Sequence, residues 1–365
     1  MRPRGSCPDC DPSTTAPTSG SRCDGPLHGV IGKPRGKAGI MMFSDSRRRA
    51  VIIRSEISRT ERVRLAGVEQ TIALDGRYAG TPIVVMMHGG PGTPLPFNVG
   101  MRGMFPSLTG RITAVYWDQY GCGINDGPLD ESFDVDRFVD MTVDLVDHLH
   151  REFPGTPIGL MSTSWGSILA ARTAVRRPDV IDRVMAQGQV LHDLTFNDDV
   201  YAALDRARLP RRVRDDLRRI RGERHPSNTD MTRVNRWIMR YTQGLMSRTD
   251  GGMDVRTIVR GLLTSPDYSL RTIPAVLSNH ASRCVRLLRE ATDLDLRDML
   301  RRVGVPYLIV QGSKDLVTPT SMVERFVRES GNPNLSLRVL PDMSHVPGRK
   351  SMRTMEDLMI RFFAA

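Results

Sequence analysis

Uninterrupted apolar segments that end in turn residues constrain the fold of this chain most strongly. Residues 81–92 read TPIVVMMHGGPG, and comparable segments occupy 111–118 (RITAVYWD) and 156–162 (TPIGLMS). Strands that are apolar on both faces belong in a parallel sheet that is covered on both sides. Residues 62–78 (RVRLAGVEQTIALDGRY) instead alternate polar and apolar side chains around Ala66-Gly67, which predicts an antiparallel pair of strands.

Helical segments alternate with these strands. Residues 134–153 carry apolar side chains every three or four positions, and a second helix is predicted from Trp165 to the region of Pro178. Two further strand–helix units follow, with strands at 305–312 and 335–341 and helices at 321–330 and 351–363. This alternation predicts an α/β fold with a mostly parallel sheet that is flanked by helices.

The predicted domain organisation has three parts. Residues 1–50 form a basic tail, rich in Pro, Gly, Ser and Thr, which is expected to be disordered, with ordered structure beginning near residue 55. Residues 51–189 and 298–365 form the α/β core. Residues 190–297 lack strand patterns and are rich in arginine, so we expect an inserted all-helical cap over the carboxyl edge of the sheet. Open α/β sheets bind their ligands at that edge.

Composition argues against several classes of protein. The 365 residues include 52 Lys and Arg against 41 Asp and Glu, but only four of the basic residues are lysine. This arginine bias is typical of a GC-rich coding sequence, and since no nucleic-acid-reading motif accompanies it, no nucleic-acid partner is expected. No apolar run is long enough for a membrane span. Five widely spaced cysteines favour a reducing compartment, and therefore a cytoplasmic location.

The tail contains one arrangement of metal-ligand type, formed by Cys7, Cys10, Cys23 and His28. Its spacing would suit zinc, but the surrounding residues offer no apolar core for a metal to organise. We therefore expect no metal and no organic cofactor.

The segment 161–168 (MSTSWGSI) holds a candidate nucleophile. Ser164 directly follows a predicted buried strand and precedes a predicted helix. A serine on such a sharp turn exposes its hydroxyl above the sheet, and the usual pattern around it is G-x-S-x-G. Gly166 fits this pattern, whereas Ser162 replaces the first glycine. The alternative interpretation is a helix that merely begins with small residues.

A nucleophilic serine needs a general base, and the base needs an acid that orients it. In this architecture the acid and then the histidine follow the serine along the chain. Asp315 follows the strand at 305–312, and His345 follows the strand at 335–341. Singly, Asp315 could be a helix N-terminal acid and His345 a solvated loop residue. Three matches in the required order predict a triad.

The oxyanion of a tetrahedral intermediate needs hydrogen-bond donors. The backbone N–H of Trp165 directly follows the candidate nucleophile. The loop 88–92 (HGGPG) follows an early strand, and its glycines allow a second backbone N–H to approach closely. A plain turn is the alternative for this loop, but its position favours an oxyanion loop.

Five motifs together resemble the proline iminopeptidase branch of the α/β-hydrolase superfamily: HGGPG (88–92), WDQYGCG (117–123), SWGS (164–167), GSKD (312–315) and SH (344–345). The resemblance spans roughly residues 55–365. It implies an eight-stranded sheet with a helical cap and the release of N-terminal proline or a similar residue from small peptides. The residues that it implies are Ser164, Asp315 and His345 as the triad, Gly90 and Trp165 as oxyanion donors, and Gly89 as a substrate contact.

The sequence departs from that branch where the substrate would bind. The family's DQRGCGRS is DQYGCGIN here, and Ser162 stands at the first glycine of the nucleophile motif. An aminopeptidase must also neutralise the α-ammonium group of its substrate, usually with carboxylates from the cap. This cap is basic overall, and its candidate carboxylates are Asp193, Asp198, Asp199 and Glu223.

The predicted function is a serine hydrolase that forms an acyl-enzyme, with an aminopeptidase acting on N-terminal proline as the first interpretation. A carboxylesterase, lactonase or amidase acting on a small molecule is the alternative within the same chemistry. A ligand-binding protein that turns over slowly is the alternative from another class. The expected partner is a small molecule or short peptide, and the sequence predicts no oligomeric state.

Overall fold

A computed structural model describes residues 45–223, 226–277 and 285–365 of the chain. Within these residues, eight strands form one sheet. In chain order they are β1 (Ile57–Leu65), β2 (Val68–Gly76), β3 (Ile83–Met87), β4 (Thr113–Trp117), β5 (Ile158–Thr163), β6 (Ile181–Gln187), β7 (Tyr307–Gly312) and β8 (Leu335–Leu340).

The helices of the described residues alternate with these strands on both sides of a longer helical segment. In chain order they are α1 (Ser46–Arg54), α2 (Pro106–Thr109), α3 (Val135–Glu152), α4 (Trp165–Arg176), α5 (Asp198–Arg206), α6 (Arg211–Arg221), α7 (Asn228–Tyr241), α8 (Val255–Leu263), α9 (Thr272–Leu277), α10 (Val285–Asp293), α11 (Arg297–Arg301), α12 (Thr320–Ser330) and α13 (Arg349–Phe363). Among them, none combines the length and hydropathy that crossing a bilayer requires.

The sheet confirms the predicted fold class. Its strand order is β1-β2-β4-β3-β5-β6-β7-β8. Strand β2 runs antiparallel to β1 and β4, and the other neighbouring pairs are parallel. The predicted hairpin turns at Ala66-Gly67, where both residues have positive φ angles of 44° and 81°. The carboxyl ends of the parallel strands therefore meet at one edge, where loops from distant parts of the chain converge.

Successive side chains of the central strands are buried alternately in two core clusters, one on each face of the sheet. On β3, Val85 and Met87 join a core cluster that includes residues of α3 and α4. Val84 and Met86 on the other face join a cluster that includes residues of α13. Because both of its faces are covered, β3 carries no polar side chain, as the apolar run in the sequence predicts.

The helical segment between β6 and β7 has a small apolar core of its own, which includes Leu204, Leu217 and Trp237. The arginines of α6 lie on the opposite side: the side chains of Arg211 and Arg218 are 94% and 73% exposed. The basic stretch of the sequence is therefore largely a solvated helix face.

The ordered chain starts earlier than the sequence predicts. Helix α1 begins at Ser46, inside the segment assigned to the disordered tail, and Asp45 caps it by accepting a hydrogen bond from the backbone N–H of Arg48. The side chain of Arg48 is buried, with 2% exposure. A helix held by one buried arginine has no apolar periodicity, so the sequence pattern does not reveal it.

The Arg48 guanidinium donates to three backbone carbonyls, those of Gly100 (2.5 Å), Arg102 (2.8 Å) and Gly261 (2.7 Å). It also donates to the hydroxyl of Thr264 at 3.1 Å. Burial lowers the pKa of Arg48 to about 10, so the side chain remains charged at neutral pH. These contacts join α1 to the loop before α2 and to the end of α8.

We expect Arg48→Met to lower the free energy of unfolding by roughly 3 kcal/mol, because it leaves buried carbonyl groups without donors. Urea denaturation measures this change. Arg49→Met is the matched control, since Arg49 is an exposed residue of the same helix. Equal stability of the two variants would show that the buried hydrogen bonds contribute nothing.

Candidate active site

Ser164 lies on a strained turn between β5 and α4. Its φ of 50° and ψ of −116° are unfavourable for a residue with a Cβ. Its backbone N–H donates to the carbonyl of Gln187 at 2.8 Å. A Cβ atom at Gly166 would lie only 2.7 Å and 2.8 Å from the carbonyl oxygens of Met87 and His88. Glycine at 166 therefore allows α4 to start against the end of β3.

The structure brings Ser164, His345 and Asp315 together in one hydrogen-bonded series. The Oγ atom of Ser164 lies 2.9 Å from Nε2 of His345. The Nδ1 atom of the same ring lies 2.9 Å from Oδ2 of Asp315. Asp315 and His345 are buried, with 3% and 7% exposure, and they come from the loops after β7 and β8.

Asp315 is held by its own loop. Its Oδ1 accepts hydrogen bonds from the backbone N–H groups of Val317 (2.8 Å) and Thr318 (3.0 Å). Its Oδ2 accepts a hydrogen bond from the hydroxyl of Thr318 at 2.9 Å, next to the contact with His345. These hydrogen bonds fix the orientation of the Asp315 side chain. Thr318 is a site residue that the sequence analysis missed, although it lies three positions after Asp315.

The imidazole of His345 fits against a glycine. A Cβ atom at Gly188, whose φ is +65°, would lie 3.0 Å from Cε1 of His345. The backbone of His345 is fixed on both sides, since its N–H donates to Gly244 and its carbonyl accepts from Nε2 of Gln187. The ring therefore has little freedom to leave Ser164.

The loop 88–92 lies beside Ser164. A Cβ atom at Gly89 would be 3.3 Å from Cβ of Ser164, and Gly90 has a φ of +118° that other residues rarely adopt. Within the described residues, neither the N–H of Gly90 nor that of Trp165 has a protein acceptor. Both residues line the same cavity as Ser164.

His88 and Gln119 join this loop to Trp165. The Nδ1 atom of His88 donates to the carbonyl of Gly89 at 2.9 Å, and Nε2 accepts from the backbone N–H of Gln119 at 3.0 Å. The Oε1 atom of Gln119 accepts from the indole N–H of Trp165 at 2.9 Å. Burial lowers the pKa of His88 to about 4, which keeps the ring neutral in this arrangement. The sequence analysis assigned the motifs HGGPG (88–92) and WDQYGCG (117–123) to a family resemblance, but it did not reveal the hydrogen bonds that join them through His88 and Gln119.

A cavity of about 380 Å³ opens beside Ser164 and His345. Its walls are mostly apolar, and its lining side chains include Leu95, Phe97, Trp165, Val190, Leu194, Met231, Leu288 and Met355. Residues of α7 and α10 contribute to this wall, so the helical segment 190–297 covers part of the cavity. No Asp or Glu among the described residues lines it.

The four candidate carboxylates of the sequence analysis all lie elsewhere. The side chain of Asp198 is fully exposed, and that of Asp193 is 66% exposed and contacts His192. Asp199 accepts a hydrogen bond from Ser321, and Glu223 forms an ion pair with Arg219. The structure therefore does not bring any of them to Ser164.

One cluster of metal-ligand type occurs in the described part of the chain, formed by Glu61, His148 and Glu152. Arg59 forms ion pairs with both carboxylates, and His148 lies 2.8 Å from Glu61. Since the arginine already supplies a positive charge, we interpret the cluster as an ion-pair network. The cysteines and histidine of residues 7–28 lie outside the described residues.

Comparison with known proteins assigns the chain to a family and identifies related proteins. The sequence pattern of the alpha/beta hydrolase family matches residues 84–353. A probable aminopeptidase of Bacillus subtilis (strain 168), YbaC, is 22% identical over 306 residues, which are 82% of this chain and 92% of that protein. A proline iminopeptidase of Heyndrickxia coagulans is 30% identical over 112 residues, which are 30% of this chain and 36% of that protein.

Solved structures show the same fold at low sequence identity. The crystal structure of VinJ has a TM-score of 0.58 and 20% identity, covering 84% of this chain and 98% of that chain. A proline iminopeptidase from Mycobacterium smegmatis has a TM-score of 0.57 and 18% identity, covering 84% of this chain and 97% of that chain.

We expect His88→Gln to be less stable than the native protein at pH 7, and the difference to shrink as the pH falls from about 6.5 to about 4. In this range the unfolded native chain binds a proton at His88 while the folded state does not, which costs the native protein up to ~3 kcal/mol. The variant lacks this cost. Urea unfolding at several pH values measures the difference. His150→Gln, at an exposed position, is the control, and a pH-independent difference would contradict a buried neutral His88.

Proposed function

Because the chain belongs to the alpha/beta hydrolase family, we propose that it is a serine hydrolase that works through an acyl-enzyme intermediate. The observation that carries the proposal is the hydrogen-bonded series of Ser164, His345 and Asp315, with two contacts of 2.9 Å. The position of Ser164 on a strained turn at the carboxyl edge of the sheet supports it. The apolar cavity beside this serine supplies space for a substrate.

In the proposed acylation step, Nε2 of His345 takes the proton from the hydroxyl of Ser164, and Oγ attacks the carbonyl carbon of the substrate. Asp315 remains ionised and accepts the Nδ1–H of the imidazole, which stabilises the imidazolium. The N–H groups of Gly90 and Trp165 donate to the oxygen that becomes negative. Their lack of a protein acceptor leaves both available for this role.

The acyl-enzyme then forms as the bond between the carbonyl carbon and the leaving oxygen or nitrogen breaks. The imidazolium of His345 transfers its proton to the leaving group. Water enters, gives a proton to Nε2 of His345 and attacks the acyl carbon. Collapse of the second tetrahedral intermediate releases a carboxylic acid and restores the hydroxyl of Ser164.

We propose that residues 190–297 act as the cap of this enzyme, over a core of residues 51–189 and 298–365. Support comes from Met231 and Leu288, which belong to this helical segment and line the cavity beside Ser164. The proposed tail is residues 1–50 without the part that belongs to α1.

Two substrate classes compete within this chemistry. An ester, lactone or amide of an uncharged small molecule suits the apolar cavity, which no carboxylate among the described residues lines. An aminopeptidase that releases N-terminal proline or a similar residue is the second candidate. It is favoured by the similarity to a probable aminopeptidase, 92% of which is covered.

We expect Ser164→Ala to reduce kcat/KM for p-nitrophenyl butyrate by at least about 10³-fold, because the variant has no nucleophile. The same variant should resist labelling by a fluorophosphonate and keep its circular dichroism spectrum. Ser162→Ala is the matched control, since this neighbouring hydroxyl makes only a 3.5 Å contact with the carbonyl of Met185. Full activity in Ser164→Ala, or loss of activity only in Ser162→Ala, would refute the assignment.

A further inference from the structure

Two hydrogen-bonded polar side chains, Thr195 and Asn235, belong to the mostly apolar wall of the cavity. Thr195 lies in the segment after β6, and Asn235 lies in α7; both line the cavity that also contains Ser164 and His345. The hydroxyl of Thr195 donates to Oδ1 of Asn235 at 3.1 Å. The pair thus joins two separate parts of the helical segment at the substrate cavity.

The backbone at Thr195 is strained. Its φ is +73°, a value that is unfavourable for a β-branched residue. Asp193, two positions earlier, also has a positive φ, of 46°. Such conformations persist only where surrounding contacts hold them, and they concentrate at functional sites. Here the strained backbone accompanies a side chain that is 2% exposed and directed at Asn235.

The hydrogen bond from Thr195 sets the orientation of the Asn235 amide. Because one lone pair of Oδ1 accepts from the hydroxyl, the amide is oriented, and the two hydrogens on Nδ2 are its free donors. Within the described residues, no acceptor takes them. An amide N–H donor matches a carbonyl, ester or ether oxygen. It does not match an ammonium group, which has only donors.

The charged residues around the cavity also argue against an ammonium group in the substrate. No Asp or Glu of the described residues lines the cavity. A buried ammonium group without a carboxylate partner is strongly disfavoured. The cavity therefore suits a substrate whose groups are uncharged.

We propose that Asn235, positioned by Thr195, is the specificity residue of this site, and that the site takes an uncharged substrate with an oxygen atom that accepts a hydrogen bond from the Asn235 amide. The inference rests on the proposed serine-hydrolase function and names its substrate class. It separates this chain from an enzyme that selects a free α-ammonium group.

The test compares the methyl esters of proline and N-acetylproline at pH 7, where the α-amino group of the first is protonated. Each ester is used as a competitor of p-nitrophenyl butyrate, so that its affinity is obtained whether or not it is turned over. We expect the native protein to bind the N-acetyl ester at least about tenfold more tightly than the free amine.

Two variants of similar side-chain size examine Asn235 itself. Asn235→Leu removes the donor, and we expect it to weaken binding of the N-acetyl ester by about 5- to 10-fold. Its circular dichroism spectrum should match that of the native protein, so that weaker binding does not reflect a loss of fold. Asn235→Asp adds a carboxylate to the cavity wall and should reverse the preference in favour of the free amine. Arg236→Asp is the control, since it adds a carboxylate at an exposed position of the same helix.

Three results would overturn the inference: tighter binding of the free amine by the native protein, unchanged N-acetyl affinity in Asn235→Leu, or no competition by either ester. Failure of the serine-hydrolase proposal is distinguishable from all of them. It would appear as fluorophosphonate labelling that does not depend on Ser164, or as hydrolysis of p-nitrophenyl butyrate that survives Ser164→Ala.

Discussion

The close approach of Gly166 to the carbonyl oxygens of Met87 and His88 is the contact on which the site depends. Because a side chain at 166 would collide with the backbone at the end of β3, only glycine lets α4 begin there. That approach places the turn at Ser164 directly beside the glycine loop 88–92. The strained φ of Ser164 then follows from how tightly strand, turn and helix are packed.

A second layer of contacts fixes the two backbone N–H groups to which we assign the oxyanion. His88 bonds to Gly89 on one side and to Gln119 on the other, and Gln119 in turn holds the indole of Trp165. A protonated His88 would have no lone pair for the N–H of Gln119. The hydrogen bonds to Gly89 and Gln119 therefore require the neutral ring, which the low pKa of His88 maintains. One neutral tautomer satisfies both neighbours.

The sequence predicted the sheet and the placement of Ser164, Asp315 and His345 at its edge, because each of them follows a strand that is readable as an apolar run. It did not predict α1, whose stability comes from the buried Arg48 rather than from an apolar face. It also could not choose among the candidate carboxylates of residues 190–297, because the faces that helices turn toward a cavity depend on tertiary packing. Thr195 and Asn235 are 40 positions apart, and no local pattern relates them.

The contacts of Arg48 connect two parts of the chain that border the cavity beside Ser164. The loop that Arg48 holds at Gly100 and Arg102 continues from Phe97, which lines the cavity, and its other contacts, at Gly261 and Thr264, belong to the helical segment that covers it. Arg48 belongs to α1, at residues 46–54, which precedes the region 84–353 that matches the family pattern. The packing of the chain around this cavity therefore depends in part on a helix that lies outside the region of the family match.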